Sequence, residues 1–249
     1  MTTGTYLYAL CRPDAPQPAV RGVSGAPVRV VREGDVGALV STVDLAEFGE
    51  QALMANLDDL SWLARVAQEH DAVVQACARV TTTAPLRLAT ICSDDESVRE
   101  RLRQLSPAAV QLLAQLGDRQ EWGVKLYAAV TVPKSGSTRE ASSGVAYLRE
   151  RRDEIDRRAA AADAARRQAD DIFTCLAGVA IDARRHRPQD PQLSGADAPM
   201  LLNASFLVEP SGLDRFRAAV DEMAAALPPD SLILTGPWPA YSFVSMEQL

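Results

Sequence analysis

The chain has 249 residues, of which 47% are hydrophobic and 24% are charged, and its formal net charge is −7. This composition is typical of a globular protein, and the length allows one large domain or two of about 100–130 residues. The acidic balance disfavours nucleic acid as the main partner, because phosphate binding requires a basic surface.

The cysteines and the apolar segments bear on the cellular compartment. The four cysteines are far apart and form no C-x-x-C pair, so they indicate neither a zinc knuckle nor a redox pair. No segment approaches the ~18–20 apolar residues that a membrane span requires, and the first residues lack the pattern of a secretory signal. We therefore expect a cytoplasmic protein with reduced thiols and no membrane contact.

The first half of the chain mixes predicted strands with predicted helices. Short apolar runs bounded by Pro, Gly or Asp favour strands, and apolar residues recurring every three or four positions favour helices. The predicted elements are strands at Tyr6–Leu10, Val28–Val31, Val36–Val43 and Leu86–Cys92, a helix starting near Glu47 and a helix over Trp62–Val80.

Two helices are predicted between Ser93 and Gly117. Ser93 and Glu96 have the spacing of an S-x-x-E capping box, which opens the first helix. Ser106 followed by Pro107 favours the start of a second helix, because proline is tolerated at the first helical position. Gly117 is a typical C-terminal stop for that helix.

The second half begins with an alternating strand at Glu121–Val132 and a polar linker at Pro133–Thr138. A helix of ~40 residues is predicted from about Ser143 to Arg185, because apolar residues recur at spacings of three, four or seven. The middle of its apolar stripe is alanine, so a neighbouring helix can approach closely there. A Pro- and Gly-containing loop, His186–Pro199, follows.

The C-terminal part predicts a strand at Met200–Val208, a helix at Ser211–Leu227 and a strand at Ser231–Thr235. Gly236–Pro239 should interrupt this strand before extended structure resumes at Ala240–Val244. The order strand, helix, strand, helix, strand is close to a ferredoxin-like layout. One strand of the usual four is missing from it, unless the proline-broken C-terminal tail supplies that strand. We thus predict an α+β protein with two domains, residues 1–117 and residues 118–249.

No active site is predicted from the sequence. The dinucleotide, phosphate-loop, zinc-protease and hydrolase motifs are absent. The paired aspartates at 58–59, 94–95 and 170–171 are explained by helix ends and helix faces, where adjacent side chains diverge. His70 lies on the apolar stripe of its helix with no metal-ligand partner at helical spacing, so we predict a structural histidine.

Several segments, read together, resemble the GvpF/GvpL gas vesicle family. They occur in the family's order along nearly the whole chain. They are Tyr6–Ala9, Trp62–His70, Ala84–Ile91, Glu121–Tyr127, Gly144–Leu148, Leu202–Val208 and Leu234–Phe243. The chain departs from the family's pattern at Leu88-Ala89-Thr90, where the resemblance implies an aromatic-Gly-Thr triplet.

The resemblance implies an N-terminal α+β domain and a C-terminal modified ferredoxin-like domain that contains the long helix. It implies a non-enzymatic accessory protein of gas vesicle assembly, which binds the shell protein GvpA and other Gvp accessory proteins. No catalytic residue, metal or cofactor is associated with the family. The resemblance also implies a location in the cytoplasm and at gas vesicles.

Two features suit a strongly apolar partner. Trp238 and Tyr241 lie in a proline-broken tail that favours exposed aromatic anchors. The alanine stripe of the long helix, which a partner helix can approach closely, comprises Ala159, Ala162, Ala165 and Ala169. The alternative is that Trp238 caps the core of its own domain and that the stripe packs within the chain. A different function, a small-ligand sensor or enzyme, would place a pocket near His70 or Arg87.

Overall fold

The strands form two four-stranded sheets in the residues that the computed structural model describes, which are 2–128, 144–190 and 198–244. Contacts divide the chain into two units. The first comprises the residues up to Glu121 together with those from Pro237 onward, and the second comprises Trp122–Gly236.

The first unit has four strands and four helices along the part of the chain before Glu121. The strands are β1 (Thr3–Cys11), β2 (Arg29–Glu33), β3 (Val36–Asp44) and β4 (Thr83–Cys92), and the helices are α1 (Leu45–Phe48), α2 (Glu50–Asn56), α3 (Leu60–Ala78) and α4 (Asp95–Leu116). The strand order is β2-β3-β1-β4, and each adjacent pair is antiparallel. The predicted strands and the helix at Trp62–Val80 are confirmed, with small shifts of their ends.

The central strand β1 is buried on both faces. Tyr6 and Tyr8 belong to the apolar cluster that α3 covers, whereas Leu7 and Leu10 lie beside Leu102 of α4. The register of β1 shifts between Leu7 and Ala9, as in a β-bulge. Because this strand has helices on both sides, its sequence is continuously apolar instead of alternating.

Two predictions for helix α4 are wrong. Asp94, not Ser93, is its N-cap, since the Asp94 carboxylate accepts from the Ser97 amide at 2.7 Å. The helix also continues through Pro107 instead of restarting there. Its buried stripe crosses the proline, from Leu102 before it to Leu112 after it, and this burial offsets a proline cost of about 3 kcal/mol. Gly117 ends the helix as predicted, with φ of 51°.

The second unit is built from a strand, a long helix, two strands, a helix and a strand. These are β5 (Gln120–Tyr127), α5 (Gly144–Ala177), β6 (Asp182–Arg185), β7 (Met200–Val208), α6 (Leu213–Ala225) and β8 (Leu232–Trp238), in the strand order β6-β7-β5-β8. Phe206 contacts Phe173 and Phe216 with ring centroids 5.7 and 5.4 Å away, at the centre of the core.

The long helix is shorter than predicted, because it ends at Ala177. The segment Asp182–Arg185, which the helical pattern had included, is the strand β6 and pairs antiparallel with Leu207–Ala204 of β7. Gly178 follows the helix, and the Ile181 amide donates to the Leu207 carbonyl at 2.8 Å. The strand missing from the predicted layout is therefore β6.

The C-terminal segment also differs from its prediction. Strand β8 continues through Pro237 to Trp238, and a 3-10 turn at Tyr241–Phe243 replaces the predicted extended structure. Residues from Pro237 onward pack with the first unit, whereas the predicted second domain included them. The predicted linker at Pro133–Thr138, the end of the strand predicted to reach Val132 and residues 191–197 of the predicted loop lie outside the described residues.

Strand β4 contains a strained alanine where the family resemblance implies glycine. Leu7 of β1 pairs with Thr90, but Ala9 pairs with Pro85, so residues 86–89 form a bulge. Ala89 has φ of 59°, in the left-handed region that costs an L-residue about 1–2 kcal/mol.

Replacing Ala89 with glycine should therefore stabilise the protein. Glycine removes the strain at positive φ, but it loses more backbone entropy on folding than alanine does. As the net of these two effects, we expect Ala89→Gly to raise the free energy of unfolding by about 0.5–1 kcal/mol. Urea unfolding followed by circular dichroism measures this change. Ala84 is buried in the same strand without a positive φ, so Ala84→Gly serves as the control and should destabilise. Destabilisation by both substitutions would contradict the assigned backbone strain.

Candidate functional site

His70 lies in a polar network inside the core of the first unit. Its Nδ1 is 3.1 Å from the hydroxyl oxygen of Tyr6, and the Ala89 amide donates to that oxygen at 3.0 Å. The Tyr6 hydroxyl can therefore donate to Nδ1, which leaves the imidazole proton on Nε2. The ring also packs against Tyr8 with a centroid distance of 5.4 Å.

Tyr8, which packs against the His70 ring, links this part of the core to β3 and to the 3-10 turn at Val23–Gly25. Its hydroxyl is 2.6 Å from Ser41 Oγ and accepts from the Val23 amide at 2.8 Å. Both tyrosines are fully buried, and each hydroxyl satisfies a backbone amide, which a phenylalanine could not do. The network therefore positions the 3-10 turn at Val23–Gly25 and the β4 bulge on the core.

The environment of His70 keeps its imidazole neutral. Burial lowers the pKa of His70 to about 4, against the opposing effects of the Asp71 carboxylate and the Leu86 backbone. His70 is 3% exposed, whereas Arg87 is exposed. A solvent-open pocket lined by His70 is therefore incompatible with this geometry, and the described residues give the predicted pocket near His70 and Arg87 no support.

The segment from Pro237 to Phe243 holds the two aromatic residues that the sequence indicated as partner anchors. Ala240 and Phe243 are buried and fix the segment. Trp238 and Tyr241 remain 45% and 40% exposed. The Tyr241 hydroxyl donates to Asp71 Oδ1 at 3.2 Å, and partial burial together with this carboxylate raises the pKa of Tyr241.

A cavity of about 560 Å³ opens in the first unit beside Trp238. The C-terminal ends of α3 and α4 and the segment Pro237–Ala240 form its walls. Arg79, Thr82, Leu116 and Arg119 are among the side chains that line it. Sequence reasoning missed this cavity, because its walls come from three distant parts of the chain and no local pattern brings them together.

The alanine stripe of α5 is divided between surface and core. Ala159 and Ala162 are exposed, Ala165 is partly buried, and Ala169 is 3% exposed within the core of the second unit. Ala169 therefore contacts its own unit and is not available to a partner, which corrects that part of the prediction. Only the N-terminal part of the stripe offers an open surface.

Sequence reasoning also missed an apolar corner between α2 and α3. Met54, Leu57 and Leu60 are each exposed there. The signal in the sequence was Leu57-Asp58-Asp59-Leu60, in which Asp59 caps α3 by accepting from the amides of Ser61 and Trp62. A cap at Asp59 breaks the helical pattern and places the flanking leucines at a turn.

Within the described ranges, no group of three or more His, Cys, Asp or Glu side chains could hold a metal ion. The same ranges contain no helix with the length and hydropathy needed to cross a membrane.

Comparison with known proteins identifies the family. A family model described as gas vesicle synthesis protein GvpL/GvpF matches residues 4–245. The chain belongs to the GvpL/GvpF family. Membership of this family gives the protein a role in gas vesicle assembly.

Two relatives come from Streptomyces sp. (strain CB03234). Gas vesicle protein L is 40% identical over 254 residues, and the match covers 98% of this chain and 93% of that protein. Gas vesicle protein F is 29% identical over 256 residues, with 96% and 99% covered. The protein is thus similar to both branches of the GvpL/GvpF family along its whole length.

Two crystal structures of GvpF share the fold. The structure from Anabaena sp. PCC7120 has a TM-score of 0.65 at 18% sequence identity and covers 98% of this chain and 97% of that chain. The structure from Microcystis aeruginosa has a TM-score of 0.64 at 17% identity, with 96% and 98% covered. The mixed α/β architecture described above is therefore that of the GvpL/GvpF family.

The buried His70 should make the stability of the protein depend on pH. Because its pKa is about 4 in the folded state and ~6.5 in the unfolded state, the unfolded chain binds more protons between these values. Stability should therefore fall as the pH decreases from 6.5 towards 4, by about 2 kcal/mol between pH 7 and pH 5 from this residue alone.

The measurement is urea unfolding of the wild type and of His70→Gln at pH 7 and pH 5. The variant cannot titrate at this position, so its loss of stability between the two pH values should be smaller by about that amount. An equal loss in both proteins would contradict the assigned environment of His70.

Proposed function

We propose that this protein is a non-catalytic accessory protein that binds the gas vesicle shell protein GvpA and other Gvp accessory proteins in the cytoplasm and at the vesicle. It would hold the hydrophobic shell subunit in a soluble state or nucleate its polymerisation. The family match over residues 4–245 carries the proposal, since it covers both units.

The exposed aromatic residues support a binding role. Trp238 and Tyr241 present about half of their surface on a segment that is fixed by buried Ala240 and Phe243. A rigid aromatic anchor loses little conformational entropy on binding, so tryptophan and tyrosine are favoured at protein interfaces. Exposed apolar groups at Met54, Leu57 and Leu60 add a second surface of the kind that marks protein contacts.

The absence of catalysis is part of the proposal. His70 is the side chain best suited to acid–base chemistry, but it is buried and neutral between Tyr6 and Tyr8. A general base must reach its substrate within hydrogen-bond distance, and a substrate has no open route to this imidazole. A structural histidine fits these contacts.

We further propose that the second unit is a modified ferredoxin-like domain. Its element order β5-α5-β6-β7-α6-β8 and its strand order β6-β7-β5-β8 support this assignment. The modification is the length of α5, whose 34 residues correspond to about 51 Å. The N-terminal part of this helix, with exposed Tyr147 and Ile155, remains open to a partner.

The test is the double substitution Trp238→Ala with Tyr241→Ala in cells that produce the vesicle proteins. We expect the folded variant to retain at least tenfold less shell protein in a pull-down and to form fewer vesicles, because loss of interface anchors costs about 1–3 kcal/mol. Circular dichroism establishes that the variant is folded.

The control is Ile181→Ala, which removes an apolar side chain that is 51% exposed between α5 and β6, and it should bind the shell protein as the wild type does. Wild-type binding by the double variant would contradict this contact surface. Failure of the wild type to retain shell or accessory Gvp proteins would contradict the proposed function itself.

A further inference from the structure

The cavity beside Trp238 has both an apolar wall and a cationic wall. Val80, Leu116 and Trp238 contribute apolar surface, and Arg79 and Arg119 contribute positive charge. Its volume of about 560 Å³ lies within the range of small-ligand sites, about 300–1,000 Å³. The space suffices for one or two amino-acid residues of a partner.

Arg79 lines the cavity and forms no ion pair with any of the described residues. Among the described residues, its guanidinium group has no ion pair or hydrogen bond, although the carboxylate of Asp118 lines the same cavity. Arg119 differs, because its Nη1 donates to the Gln115 carbonyl at the end of α4. A planar guanidinium with five donors is complementary to a carboxylate.

The C-terminal ends of α3 and α4 open on the cavity, and helix C-termini favour cations over anions. Their carbonyls already have donors in this structure. The Cys77 carbonyl accepts from the amides of Val80 and Thr81, and the Leu116 carbonyl accepts from the Arg119 amide. The helix ends are therefore capped from within the chain, and Arg79 is not needed for that purpose.

Thr82 is a second feature of the cavity that points to a ligand. This residue lines the cavity and is 6% exposed, and its Oγ1 has no hydrogen-bond partner within the described part of the chain. A buried hydroxyl without a partner destabilises the folded state. A ligand with an acceptor oxygen would satisfy the hydroxyl after rotation about χ1.

We infer that this cavity binds a carboxylate of a partner polypeptide together with the apolar side chain next to it. The carboxylate pairs with Arg79, and the apolar side chain packs against Trp238 and Val80. The carboxylate comes from a chain terminus or from an internal acidic residue, since both offer the same chemistry. The nature of the partner rests on the proposed function, whereas the preference for a carboxylate beside an apolar group does not.

The experiment uses four small probes with the full chain, in two matched pairs. N-acetyl-leucine and its amide differ in a terminal carboxylate. N-acetyl-leucyl-glutamate with an amidated terminus and N-acetyl-leucyl-glutamic acid diamide, in which both carboxyl groups are amides, differ in a side-chain carboxylate. Binding is followed by NMR through the indole N–H signal of Trp238, which is assigned from its loss in Trp238→Phe.

We expect saturable shifts of this signal with the two carboxylate probes and at least fivefold weaker binding of the amide and the diamide. Stronger binding of N-acetyl-leucine would assign the site to a chain terminus, and stronger binding of the glutamate probe would assign it to an internal acidic residue. Arg79→Gln should weaken both carboxylate probes at least fivefold. Arg87→Gln, on exposed β4 surface outside the cavity lining, should leave both unchanged.

Absence of saturable shifts, or equal binding of acid and amide, would overturn the inference. Equal binding of inorganic phosphate would also overturn it, because the cavity would then respond to negative charge alone. If the carboxylate probes fail while Trp238→Ala with Tyr241→Ala still loses the shell protein, this inference falls and the proposed function stands.

Discussion

The buried carboxylate of Glu121 is the contact on which the candidate surface depends. Glu121 is 6% exposed and accepts from the Ser242 amide at 2.8 Å and from the Ser242 hydroxyl at 2.6 Å. A carboxylate inside a protein is costly unless it is hydrogen-bonded. Glu121 therefore holds the C-terminal segment in one place on the first unit, with Tyr241 adding its bond to Asp71.

The contact between Glu121 and Ser242 determines where the exposed aromatic residues lie. Because Ser242 is fixed, Trp238 lies at one wall of the cavity, and Ala240 lies at the same wall. A rigid segment can present an aromatic anchor with little loss of entropy on binding. If the segment were mobile, the cavity beside Arg79 would lose a wall and the exposed aromatic residues would lose their defined positions.

Local patterns predicted much of the fold, and long-range contacts account for what they missed. The apolar runs at Tyr6–Leu10 and Met200–Val208 and the helical stripe around His70 are local signals, and the structure confirms these elements. Strand β6 was missed because Asp182–Arg185 continues a helical pattern, and only pairing with β7 makes it a strand. The cavity and the position of the C-terminal segment depend on residues more than a hundred positions apart, as Glu121 and Ser242 are, and no local pattern encodes such a contact.

The most direct test of this account is hydrogen–deuterium exchange of the segment 237–244 in the wild type, in Glu121→Ala and in Glu222→Ala, which changes an exposed glutamate on α6. The account predicts slow exchange of the Ser242 amide in the wild type and in Glu222→Ala. In Glu121→Ala it predicts at least tenfold faster exchange of this amide, while α5 and β7 remain unchanged. Fast exchange of the segment in the wild type, or an unchanged rate in Glu121→Ala, would contradict it.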